Sequence, residues 1–129
     1  MGAAHDLSRR SMECIEAGDR DGWLALFGED AVVEDPIGVS ALDPTGAGHR
    51  GAEAIARFYD TVIAPADAIR FRIDETIDCG VECANLGEIH ITMGGRTGIC
   101  RVVSTYRAAP DGRLAALRAY WEMDKLRFT

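Results

Sequence analysis

The chain has 129 residues, 47% hydrophobic and 27% charged, with 21 acidic side chains against 14 basic ones. That length suits a single domain, residues 1–129, whose core needs no covalent staple. A net charge of −7, with no basic cluster beyond Arg9-Arg10 and the neighbouring Lys125 and Arg127, argues against nucleic acid and anionic membranes as partners, since both repel an acidic surface.

The first quarter reads as helices. Leu7, Met12, Cys14 and Ile15 recur at loosely helical spacing up to a stop at Gly18. Asp19 is a suitable N-cap for a second helix whose apolar face is Trp23, Leu24, Leu26 and Phe27, ending at Gly28 with a turn at Glu29-Asp30. Ala31 to Glu34 is a short β segment halted by Pro36, which biases Asp35 towards an extended backbone. The glycine-rich stretch from Ile37 to Gly51 is a long loop. A third helix runs from about Ala52 to Val62.

Strands follow Pro65. Ile69, Phe71 and Ile73 alternate with Arg70, Arg72 and Asp74. Glu82 to Met93 turns at Gly94-Gly95 into Arg96 to Arg107, and Leu114 to Met123 is the last strand. Helices first and a strand meander last predict an α+β fold, with three N-terminal helices on one face of a curved antiparallel sheet and a pocket between them.

No apolar run reaches the ~18 residues of a membrane span. No apolar stretch follows the charges of Met1 to Arg10, so a cytoplasmic protein is expected. In that reducing setting Cys14, Cys79, Cys83 and Cys100 are read as free thiols. Cys79 and Cys83 have the spacing of one ligand pair, but no second pair follows, and neither a metal nor a cofactor is expected.

The segments Gly18-Asp19, Leu26 to Gly38 (with Val33-Glu34-Asp35-Pro36-Ile37-Gly38 at its end), Gly51, Ile55, Phe58-Tyr59, Asp111-Gly112-Arg113 and Ala119-Tyr120-Trp121 resemble the ketosteroid isomerase family. That family belongs to the superfamily of nuclear transport factor 2-like (NTF2-like) and SnoaL-like proteins. Gly22 to Leu26 and Thr105-Tyr106-Arg107 look closer still to mycobacterial proteins described as possible steroid isomerases. The resemblance runs the length of the chain and implies a cone-shaped fold, a steroid or similar apolar ketone as ligand, and a homodimer formed through the outer sheet face. It also implies that Asp35 is the base that removes a proton beside a carbonyl and returns it further along the conjugated system. A carboxylate in a partly desolvated cleft has the raised basicity this requires.

The family's two oxyanion donors, a helix tyrosine and a strand aspartate, are replaced by Ser11 and Ser104. Of its two supporting tyrosines, one is Phe27 and the other survives as Tyr59. Serine hydroxyls are shorter and less acidic, so weak or altered isomerase activity is expected. Strand alternation puts Val102 and Tyr106 on the face of Ser104, and Leu117 and Ala119 on the face of Trp121. Trp121, Phe27, Phe58, Val102, Leu117 and Ala119 are the candidate substrate-binding residues. A non-catalytic steroid binder is the alternative. Epoxide hydrolysis or polyketide cyclisation needs Arg101 inside the cavity, and alternation turns it away from Ser104. His90 is expected at a surface or core edge, His49 in solvent, and the loop 39–49 over the pocket mouth.

Overall fold

The computed structural model describes residues 2–129. Helix α1 (Ala3–Ala17) buries Ala4, Leu7, Ser8 and Ser11. It stops at Gly18, whose φ of 69° lies in the left-handed region that glycine enters without steric cost. Asp19 caps α2 (Arg20–Leu24), accepting from the Gly22 N–H at 2.9 Å. This helix is shorter than expected. Phe27, Gly28, Glu29 and Asp30 belong to strand β1 (Phe27–Glu34) and not to a helix end and turn. The cause is tertiary: Leu114 N–H bonds the Leu26 carbonyl, and pairing with a distant strand draws residues 27–30 into the sheet.

The loop after Pro36 is stitched by Asp43, a buried side chain that accepts from Gly48 N–H. It contains strand β2 (His49–Arg50), paired with β1. Helix α3 (Ala52–Phe58) then loosens into a π-helical turn over Tyr59–Ile63. Only α1 and α3 among the α-helices reach seven residues, so the expected three-helix layer is reduced to two helices and a short connecting one.

Strands β3 (Ala68–Asp78), β4 (Glu82–Met93), β5 (Arg96–Ala108) and β6 (Leu114–Tyr120) form the expected antiparallel meander. The sheet order is β2-β1-β6-β5-β4-β3, and a short β7 (Arg127–Phe128) pairs with β5. The sheet is mixed, against the antiparallel expectation, because β1 runs parallel to β6. Helix α1 lies against β3, β4 and β5. The core joins Leu7, Trp23, Ile55, Phe58, Leu114 and Leu117. Among the described residues no helix is long and apolar enough to cross a membrane.

Candidate functional site

The parallel pairing of β1 with β6 builds the site. Glu34 is in register with Arg118, so both strands end at the same edge of the sheet. Asp35 emerges from one end and Trp121 from the other. Ile37 N–H bonds the Ala119 carbonyl at 2.9 Å, pinning the exit of β1 to the end of β6. The Trp121 indole N–H then donates to Asp35 Oδ1.

Asp35 is half-buried, and its carboxyl pKa is raised from 3.8 to about 6. Desolvation is the dominant cause, opposed by the Trp121 hydrogen bond, which favours the charged form. Among the described residues no arginine, lysine or histidine forms an ion pair with it. A carboxylate with one neutral donor and no cation keeps its basicity, as a proton shuttle requires. The neighbouring Glu34 is differently placed, because Arg118 Nε donates to it.

Strand register lays out the floor beside Asp35. Gly87 faces Val102 across β4 and β5. In the next row Asn85, Ser104 and Ala119 stand side by side on β4, β5 and β6, and beyond them come Cys83, Tyr106 and Leu117. Gly87, Ser104 and Ala119 are small, so the middle of the floor is low between Val102 and Tyr106. A cavity of about 750 Å³ lies at the Val102 end, bounded by Ile37, Val102 and Trp121 and, from the outer face of the sheet, by Ile99, Arg101, Val103 and Tyr120; Asp35 and Ser104 lie outside its lining. Asp35, Ser104 and Trp121 are all half-buried, so solvent reaches this face at each of them.

Ser11, on α1 where that helix packs against the sheet, is fully buried and accepts a hydrogen bond from the Trp23 indole at 2.9 Å. Ser104 and Ser11 do not stand alone. The Tyr106 hydroxyl lies close to both and feels the charge of Asp35. Burial pushes the Tyr106 phenol far above its ordinary value, so it keeps its proton throughout the working pH range. Sequence reading placed Tyr106 on the right face but assigned it no role. The available signal was its position two residues from Ser104, together with the space left by a serine at position 11.

The structure therefore gathers Asp35, Trp121, Val102, Ser104, Ser11 and Ala119 around one stretch of sheet. Other candidates lie elsewhere. Tyr59 is buried, but the charges acting on it come from Asp19, Arg20 and Asp60, at the far end of α1. Phe27, Phe58 and Tyr59 surround Trp23, with ring centroids 4.7, 6.4 and 5.6 Å away, and form an aromatic core. Leu117 is part of that same core. None of these four lines the 750 Å³ cavity, and neither do Asp35, Ser11, Ser104 and Ala119.

The loop 39–49 contributes no residue to the cavity; only Ile37, just before it, does. His49 is not in solvent. It is half-buried in β2 with its ring 4.9 Å from Phe58. His90 bonds Glu88 at the sheet surface, and Arg101, exposed and donating to Asp74 at 2.8 Å, borders the 750 Å³ cavity from the outer face of the sheet. All four cysteines are free, and no metal-binding group of side chains exists among the described residues.

Comparison with known proteins adds to this geometry. The family model described as a SnoaL-like domain matches residues 8–122. A Δ5-3-ketosteroid isomerase from Mycobacterium sp. is 39% identical with a TM-score of 0.92, the match covering 100% of both chains. RV0760c from Mycobacterium tuberculosis is 38% identical with a TM-score of 0.93, over 100% of this chain and 98% of that one. A structure of RV0760c in complex with estradiol-17beta-hemisuccinate matches at 37% identity and a TM-score of 0.90, over 99% of this chain and 100% of that one.

Proposed function

We propose, from the premise that this chain belongs to the SnoaL-like domain family, that it binds a steroid or similar flat apolar ketone and isomerises its double bond with Asp35 as the proton-carrying base. One observation carries the reading: a carboxyl without an ion-pair partner, with a pKa raised to about 6 and a hydrogen bond from Trp121, which itself lines a cavity. Such a group is ionised at neutral pH and ready to accept a proton, yet gives it back more readily than a stronger base. A ligand lying over Gly87, Ser104 and Ala119, with Trp121 and Val102 at its side, brings its acidic C–H to Asp35. The ligands named for the similar proteins, a Δ5-3-ketosteroid and an estradiol ester, are of the same flat, apolar class.

Ser11 and Ser104 are the groups we assign to the polar end of the ligand. Losing one strong oxyanion donor typically costs about 2.7–4 kcal/mol, or roughly 10²–10³ in rate. Turnover is accordingly expected to be slow. Tyr59 is assigned no part in this proposal, since its ring packs on Trp23 in the aromatic core. We further expect a homodimer through the outer sheet face, where Ile99, Val103 and Tyr120 are exposed; sedimentation at micromolar concentration tests it.

The function is tested by mixing the protein with a Δ5-3-ketosteroid and following conjugation by ultraviolet absorbance, alongside Asp35→Ala. A rate above background that vanishes in Asp35→Ala is the expected result. Steroid quenching of tryptophan fluorescence, unchanged in Asp35→Ala and without turnover in either protein, would establish a binder and end the isomerase reading.

A further inference from the structure

The site contains two donors that neither Ser11 nor Ser104 accounts for. The first is Tyr106, a 4% exposed residue of β5 two positions from Ser104 on the same face. Helix α1, which carries Ser11, packs across β5, and the phenol lies close to both serines. The second is Asn85, 1% exposed and directly opposite Ser104 on β4. Its Oδ1 accepts a hydrogen bond from Thr76 Oγ1 at 2.6 Å. Its Nδ2 is buried with no partner.

A buried amide N–H without an acceptor is costly, and such groups in folded proteins call for an explanation. Here the explanation lies next door. Opposite residues of an antiparallel pair hold their Cβ atoms about 4.5–5.5 Å apart. The orphaned amide thus lies against the same serine whose hydroxyl neighbours Tyr106. Ser104 stands beside two further donors, one of them a more acidic phenol, and an acceptor atom arriving at Ser104 meets both.

We propose that Tyr106 Oη and Asn85 Nδ2, on neighbouring strands β5 and β4, form the donor pair that receives the ligand's carbonyl oxygen. The inference rests on the reading of the site as one for an apolar ketone. During turnover Asp35 takes the proton beside the carbonyl, the electron pair moves onto the carbonyl oxygen, and the resulting enolate is held by hydrogen bonds from these two groups. Neither donor loses its proton, and Asp35 returns its own to the far carbon, so the step is balanced. Ser11, whose hydroxyl accepts from the Trp23 indole, lies close to the phenol.

The test is the infrared carbonyl stretch of bound testosterone, measured beside turnover of a Δ5-3-ketosteroid. In the unaltered protein the band is expected below its position in water. In Tyr106→Phe it moves up, while turnover falls about 10²–10³-fold, the typical loss on removing one oxyanion donor. Asn85→Leu is expected to move the band in the same direction. Thermal melts establish that each variant folds. Uniform replacement of tyrosine by 3-fluorotyrosine, a more acidic donor of nearly the same shape, supplies a check in the native sequence. It lowers the band further, because Tyr59 faces Asp19 and Tyr120 is exposed. A band unmoved by Tyr106→Phe and by fluorotyrosine overturns the donor pair while leaving Asp35 as the base. A protein that binds no testosterone overturns the ketone reading and this proposal with it.

Discussion

Asp35→Asn separates the electrostatic cost of the proposed base from everything else in the fold. The carboxyl pKa rises from 3.8 to about 6 on folding, so the native state prefers the protonated form. The sign follows: the stabilisation from Asp35 is full below pH 3.8 and is lost as pH climbs through about 6. At about 1.4 kcal/mol for each tenfold change in proton affinity, the ionised side chain costs about 2–3 kcal/mol, allowing for the part of it that water still reaches. Asparagine retains an acceptor for the Trp121 indole and never ionises. The variant is therefore expected to be more stable than the parent at pH 8 by about 2–3 kcal/mol, on the order of 10 °C in Tm for a chain of this size. At pH 4 the gap shrinks to well under about 1 kcal/mol. Urea unfolding at both pH values measures it, since all other carboxylates titrate alike in the two proteins. An equal gap at pH 4 and pH 8, or a variant less stable at pH 8, would refute the claim that Asp35 is charged against its surroundings.

Three further outcomes are expected. Trp121→Phe removes the one hydrogen bond that favours ionised Asp35, so the acid limb of the kcat/KM–pH profile moves to higher pH. Ser11→Ala leaves the buried Trp23 N–H without its acceptor and lowers unfolding stability by about 1–3 kcal/mol, read by denaturant titration. Gly87→Ala places a Cβ 2.1 Å from the Arg72 carbonyl oxygen, which forces β3 and β4 apart. Its melting temperature drops, and steroid binding weakens with it.

The sheet was largely legible because alternation is written residue by residue. Val102, Ser104 and Tyr106 face inwards because their spacing is two, and Cys83 and Asn85 follow the same rule. Asp35 was legible only through likeness to a family; its local chemistry alone reads as a turn before Pro36. The aromatic residues were harder. Phe27, Phe58 and Tyr59 have the composition of a ligand pocket, but Trp23 gathers them into the core. Local pattern cannot say which large side chains meet each other and which meet a ligand.

The α+β order of elements and the faces of the strands are written in the residue pattern itself, and likeness to a family singles out Asp35 as the proposed base. Tertiary structure decided the rest through strand direction, which period-two alternation does not encode. Because β1 runs parallel to β6, their ends coincide and Trp121 reaches Asp35. Because β4 and β5 pair with Asn85 opposite Ser104, an amide and a phenol far apart in the chain flank one serine. Both outcomes depend on register between distant segments, and long-range register is set by the packing of the whole sheet.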